Sequence, residues 1–109
     1  PLIFPVSAEL QAGNVSLNIM GRLKEQYPGV HMVCGLSNIS FGLPERKLIN
    51  QVYMMMAMGR GLDAAIIDPL DKRMMASIIT ARTLLGEAKA CRGYLKAYRS
   101  DGLNLELVP

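Results

Sequence analysis

Val30-His31-Met32-Val33-Cys34-Gly35 is a nearly unbroken apolar run. Leu36-Ser37-Asn38-Ile39-Ser40-Phe41-Gly42-Leu43-Pro44-Glu45 follows it, and a helical pattern runs from about Glu45 to Gly59. The first stretch predicts a strand covered on both faces, as parallel strands are. The second is a polar loop. In the third, Leu48, Val52, Met55 and Met56 recur on one stripe, and Ile49 and Tyr53 widen it. Strand, loop and helix in that order form one βα unit.

The same unit recurs on either side. Upstream, Leu2-Ile3-Phe4-Pro5-Val6-Ser7 reads as a short strand, although Pro5 cannot donate to a ladder. Asn14 is a candidate N-cap for a helix with Val15, Ile19, Met20, Leu23 and Tyr27 on one face, stopped at Pro28-Gly29. Downstream, Ala64-Ala65-Ile66-Ile67 reads as a third strand, ending at Asp68-Pro69. Asp71 is a candidate cap for a third helix, whose stripe is Met75, Ile78, Ile79 and Leu85 and whose end is marked by Gly86. A last helix, about Ala88 to Tyr98, places Cys91, Tyr94, Leu95 and Tyr98 at three- and four-residue steps. Three βα units and a final helix predict an α/β fold with parallel strands. An open doubly wound sheet and a closed barrel both use this unit, and a complete barrel needs about 250 residues.

Composition bounds the function. The chain has 109 residues, half of them hydrophobic and 19% charged, and a mean hydropathy of +0.21. Disorder is excluded on that balance. No run approaches the roughly 18 apolar residues of a membrane span, so no membrane partner is expected. The net charge of +3 is scattered. Its densest cluster, Lys89, Arg92, Lys96 and Arg99 with Tyr94 and Tyr98 between them, reads as a solvated helix face rather than a nucleic-acid surface. Cys34 and Cys91 have neither zinc nor disulfide spacing, so a reducing, cytoplasmic compartment is expected. The chain opens on Pro1, two residues before a strand-like run, and is expected to be a piece of a longer protein.

In βα folds function gathers at the carboxyl ends of the strands. That points to Ser7, the Gly35–Arg46 loop and Asp68–Asp71. Asn38 offers both a donor and an acceptor from a rigid strand end; its plain alternative, shared with Ser37, is to satisfy loop backbone groups. Arg46 stands at a helix start, where a cation opposes the helix dipole; the alternative is a solvent-facing arginine. Asp68 reads first as a brace of its turn. Gly59-Arg60-Gly61-Leu62-Asp63-Ala64 superficially fits a dinucleotide fingerprint, but it ends a helix instead of opening one. His31, inside an apolar run, reads as a packing histidine. The Met54–Met58 cluster and Cys34 read as core. No metal-spaced cluster, nucleophilic triad or phosphate loop is present.

Cys34-Gly35-Leu36-Ser37-Asn38-Ile39-Ser40-Phe41-Gly42-Leu43-Pro44-Glu45-Arg46-Lys47-Leu48-Ile49-Asn50 resembles the methyltetrahydrofolate:corrinoid/iron-sulfur protein methyltransferases, and Gly-Leu-Ser-Asn-Ile-Ser also resembles the folate domain of cobalamin-dependent methionine synthase. The likeness continues through Met56-Ala57-Met58, Gly61–Ile66 and Asp68–Asp71, and returns at Cys91 and Tyr94–Arg99. The resemblance implies a pterin-binding (β/α)8 TIM barrel, with this chain as its C-terminal three βα units. It implies transfer of a methyl group between N5 of methyltetrahydrofolate and Co(I) of a cobalamin or other corrinoid, carried by a separate corrinoid protein. It also implies a homodimer in the full-length parent. Asn38 matches the asparagine that reaches the pterin N5 region, Ser37 its neighbour, and Arg46 an arginine near the pterin. At Phe41 several members carry Gln, whereas the methionine synthase type carries Phe.

An asparagine suits that chemistry. N5 is a poor leaving group until positive charge develops on it. An amide carbonyl accepts a hydrogen bond from protonated N5 without holding the cation as tightly as a carboxylate would. The competing expectation is a non-catalytic βα module that keeps the loop for binding or dimerisation.

Overall fold

The computed structural model describes residue 3, residues 5–87 and residues 89–104. The order of elements is α1 (Ala12–Gln26), β1 (Val33–Gly35), a 3-10 turn (Ser37–Ser40), α2 (Arg46–Gly59), β2 (Ala64–Ile66), α3 (Lys72–Leu84) and α4 (Ala90–Arg99). They divide into two compact units, one ending at Ile67 and the other beginning at Asp68. The architecture is mixed α/β and helix-rich. Among the described residues the sheet has two strands, where three were expected.

The first expected strand is where the two readings part. Leu2 and Phe4 lie outside the described residues. Of the others, Val6–Ala8 form a turn. Pro5 has no N–H for a ladder, and its carbonyl is taken by Ala8 N–H and Glu9 N–H at 3.1 Å each. Val6 N–H donates instead to Ile39 O at 3.1 Å. The backbone here serves a loop.

β1 and β2 pair in parallel, with Val33 opposite Ala64, Cys34 opposite Ala65 and Gly35 opposite Ile66. α2 makes the crossover between them, as a parallel pair requires. Two further bonds extend the ladder, Ala64 N–H to Met32 O at 3.1 Å and Leu36 N–H to Ile66 O at 3.5 Å. Coverage on both faces is not found among the described residues. Cys34 is buried, but Val33 is 60% and Ile66 74% exposed.

α1 packs on α2. Leu17 and Met20 from α1, and Tyr53, Met54, Ala57 and Met58 from α2, are buried. Tyr53 OH shares a 2.6 Å hydrogen bond with Ser16 Oγ, so its polar end is satisfied where its ring is buried. Burial pushes the Tyr53 phenol above its ordinary range, the bond to Ser16 opposing. The expected stripes are buried in part, at Met20 of α1 and Tyr53 of α2. Val15 and Ile19 of α1, Tyr27 just after it, and Leu48, Val52 and Met56 of α2 are exposed. Asn14 does not cap α1. The helix starts two residues earlier, Ala12 N–H already donates to Glu9 O, and Asn14 Nδ2 donates to Gln11 Oε1 at 3.0 Å.

Gly59-Arg60-Gly61 ends α2, as its place in the chain implied. Gly61 has φ +99°, and a Cβ there would meet Lys24 Cγ at 2.8 Å. That left-handed conformation favours glycine.

The second unit is a helical hairpin of α3 and α4. Asp71 caps α3 as expected, its Oδ1 accepting from Met74 N–H at 3.1 Å. Gly86 follows at φ +75°. In α3, Met74 and Ala76 are buried rather than the expected stripe, and Leu85 is exposed. No residue of α4 is buried; Tyr98 and Leu95 are exposed. No helix among the described residues is long and apolar enough to cross a membrane.

His31 is not a packing histidine. Its side chain is 90% exposed, and Nδ1 lies 2.7 Å from Asp63 Oδ2. Asp63 Oδ1 accepts from Met32 N–H at 2.7 Å. One carboxylate thus ties the amino ends of both strands together, which a reading by sequence neighbours could not show. The hydrogen bond from His31, then that from Met32, holds the Asp63 carboxyl below its usual range. A lowered folded-state value means that the unfolded chain takes up the proton first on acidification. Asp63 therefore stabilises the fold in full above the ordinary Asp range, near pH ~3.9, and loses that contribution as pH falls through its folded value. Urea midpoints measured across this range should fall more steeply for the parent chain than for Asp63→Asn.

Candidate functional site

The turn after β1 has an inner and an outer side. A 3-10 helix has about three residues per turn, so positions three apart share a face. Leu36 and Ile39 are three apart, and both are buried, Ile39 at 1% exposure. Ser40 beside them has no exposed surface. Ser37 and Asn38 lie on the outer side and are exposed. The apolar pair pins the turn inward, and the pinning delivers Asn38 outward.

Backbone hydrogen bonds brace the turn. Ile39 N–H donates to Leu36 O at 3.3 Å, Phe41 N–H to Asn38 O at 3.3 Å and Leu43 N–H to Ser40 O at 3.0 Å. From the N-terminal loop, Ser7 Oγ donates to Phe41 O at 2.6 Å. Gly42, at φ +84°, passes so close that a Cβ would lie 3.0 Å from that same Ser7 oxygen. Glu45, just before α2, is a non-glycine residue in the left-handed region, φ 53°, a conformation that costs free energy.

Arg46, the first residue of α2, folds back over the turn. Its Nε donates to Ser40 Oγ at 3.0 Å and its Nη2 to Ser37 O at 2.7 Å. Its guanidinium carbon stands 5.8 Å from the centroid of the Phe41 ring, a cation–π distance. Phe41 itself is 63% exposed.

The structure thus brings Ser37, Asn38, Phe41 and Arg46 to one turn, as the sequence suggested. Asn38 has unspent capacity, its amide making no hydrogen bond among the described residues, and of Ser37 it is the carbonyl that is engaged. A neutral donor–acceptor, a cation and an aromatic ring on one short segment suit a flat, nitrogen-rich ligand better than a metal. No group of three His, Cys, Asp or Glu side chains able to hold a metal ion occurs among the described residues. Asp68 belongs to the other unit and braces its own turn, Oδ1 accepting from Leu70 N–H at 2.9 Å. Ser7, one of the three places the sequence points to, joins the turn through its hydroxyl, whereas Ser40 carries a contact that the sequence reading assigned to no residue. For Ser40 a signal existed, the Ser37-x-x-Ser40 spacing that lets a serine hydroxyl reach the carbonyl three residues back in a tight turn.

No family model matches the chain. A methylcorrinoid:tetrahydrofolate methyltransferase of Eubacterium limosum is 44% identical over 100 residues, 91% of this chain and 36% of that protein. The chain is similar to part of a corrinoid–folate methyltransferase. Methionine synthases of Mycobacterium leprae (strain TN) and Mycobacterium tuberculosis (strain ATCC 25618 / H37Rv) are each 39% identical over 57 residues, half of this chain and 5% of theirs. The resemblance drawn from the Cys34–Asn50 stretch therefore holds, and the chain spans about a third of the length of the first relative.

Cys34, one residue before the end of β1, is a free cysteine and buried, as expected; Cys91 is free and exposed. Burial raises the Cys34 thiol above its ordinary range, which withholds the nucleophilic thiolate. Alkylation with iodoacetamide, followed by peptide mass analysis, should modify Cys91 in the folded chain and Cys34 only after unfolding.

Proposed function

We propose that this chain supplies the C-terminal part of a pterin-binding (β/α)8 barrel that moves a methyl group between N5 of methyltetrahydrofolate and a corrinoid. The observation that carries the reading is the exposed Asn38 amide. It stands without a protein partner among the described residues, on a turn locked from beneath by Leu36, Ile39 and Ser40. The similarity to a corrinoid–folate methyltransferase adds to it. The non-catalytic alternative has no such observation in its favour.

In this reading Asn38 accepts a hydrogen bond from N5 as that nitrogen becomes a better leaving group. A preorganised dipole aimed at developing charge needs no reorganisation during the reaction. Its neutrality keeps ground-state binding weaker than transition-state binding, the condition for catalysis. Phe41 offers an apolar face to a flat heterocycle, and Arg46 offers its fixed cation to electron-rich atoms of the pterin. Ser37 orients the turn through its carbonyl. A corrinoid, held by a separate corrinoid protein, supplies the nucleophilic Co(I); the residues of this chain bind and orient the folate side. A cytoplasmic, homodimeric parent protein completes the proposal.

The test replaces the matched portion of the E. limosum relative by this chain and follows methyl exchange between methyltetrahydrofolate and cob(I)alamin. The chimera should transfer methyl groups. Asn38→Ala within it should slow transfer by about 100-fold or more with an unchanged melting temperature. A folded chimera in which Asn38→Ala transfers as fast as its parent would overturn the reading.

A further inference from the structure

Ser40 has no exposed surface, a position where alanine would fill nearly the same space. A buried hydroxyl needs partners, and this one has two. Its hydrogen goes to Ser37 O at 3.2 Å, and its lone pair takes the hydrogen of Arg46 Nε at 3.0 Å. Arg46 Nη2 returns to the same Ser37 carbonyl at 2.7 Å. Ser37, Ser40 and Arg46 therefore close a ring of three hydrogen bonds, and two of the three flank Asn38.

The ring answers an electrostatic problem. Arg46 opens α2, whose first turn holds no acidic residue. The orphan N–H groups of that turn repel a cation, and a long exposed side chain gains rotamer entropy by leaving. Two charge-assisted bonds and the Phe41 ring hold it in place instead.

We infer that Ser40 is a positioning residue, a buried hydroxyl that fixes the Arg46 guanidinium and, through it, the outer side of the turn carrying Ser37 and Asn38. The reaction it would serve rests on the methyl-transfer reading above; the brace itself does not. Acting through Arg46, Ser40 has an effect that depends on which side chain stands at position 46. A packing role would have no such dependence.

Two measurements decide the matter. In the chimera, Ser40→Ala should lower kcat/KM for methyltetrahydrofolate roughly tenfold, the scale of a misplaced group, and should lower it no further in an Arg46→Lys background, where Nε is gone. Equal losses in both backgrounds would show simple packing and refute the brace. In the 109-residue chain, the NMR signal of Arg46 Nε–H should exchange with water roughly tenfold faster in Ser40→Ala than in the parent, as loss of about one hydrogen bond implies. Unchanged exchange also refutes it. A parent chimera without methyl transfer, alongside faster exchange in Ser40→Ala, counts against the proposed function and for the brace.

Discussion

Burial of Leu36, Ile39 and Ser40 at the carboxyl end of β1 is the constraint on which the site depends. A short 3-10 segment has poor hydrogen-bond geometry and little stability of its own. Here its inner face removes two large apolar side chains from water, each worth on the order of 2 kcal/mol. The turn can then face only one way. Asn38 needs no contact of its own to be held, because the residues on the other side of the backbone hold it. This is the economy of a rigid element: an exposed polar group stays free while its neighbours bear the cost of order.

That logic explains why the local rules of helix design are broken just here. α2 begins with a left-handed Glu45 that provides no side-chain cap and with a cation where the dipole wants an anion. Each choice is unfavourable alone. Together they bring the guanidinium back over the turn, where Ser40 and Ser37 bind it. Local conflict of this kind marks places where something other than stability is selected.

Much of this was legible in the residues. Arg46 stood out because its charge contradicts its position, and Asn38 because a polar residue follows a buried strand. α2, α3, β2 and the cap at Asp71 follow from periodicity and side-chain chemistry that act within a few residues. The misreadings share a different cause. His31 finds its carboxylate at Asp63, and Val6 finds its acceptor at Ile39; both partners are more than thirty positions away. Ser7 reaches Phe41 across a similar gap. Patterns of local spacing carry no term for such pairings. The stripes of α1 and α2 hold at Met20 and Tyr53 but not at Val15, Ile19, Leu48, Val52 and Met56, for a related reason. Amphipathicity says that an apolar face will be covered, but not by which neighbour.

The exposed apolar faces bear on what the chain is for. Parallel strands are stable when covered on both sides, yet Val33 and Ile66 face outward. Between α1 and β1 an apolar cavity of ≈ 490 Å³ is lined by Val15, Ile19, Leu23, Val30 and Met32 among others. On α2, Leu48, Val52 and Met56 repeat every four residues along an uncovered stripe. An α/β unit that worked alone would carry polar residues on such faces. The chain accounts for about a third of the length of the methyltransferase it matches. On the barrel proposal, these faces are where the remaining two thirds pack. The same packing would stiffen β1, and with it the buried base beneath Asn38. The apolar faces and the polar turn are then two ends of one design, the first supplying rigidity and the second using it.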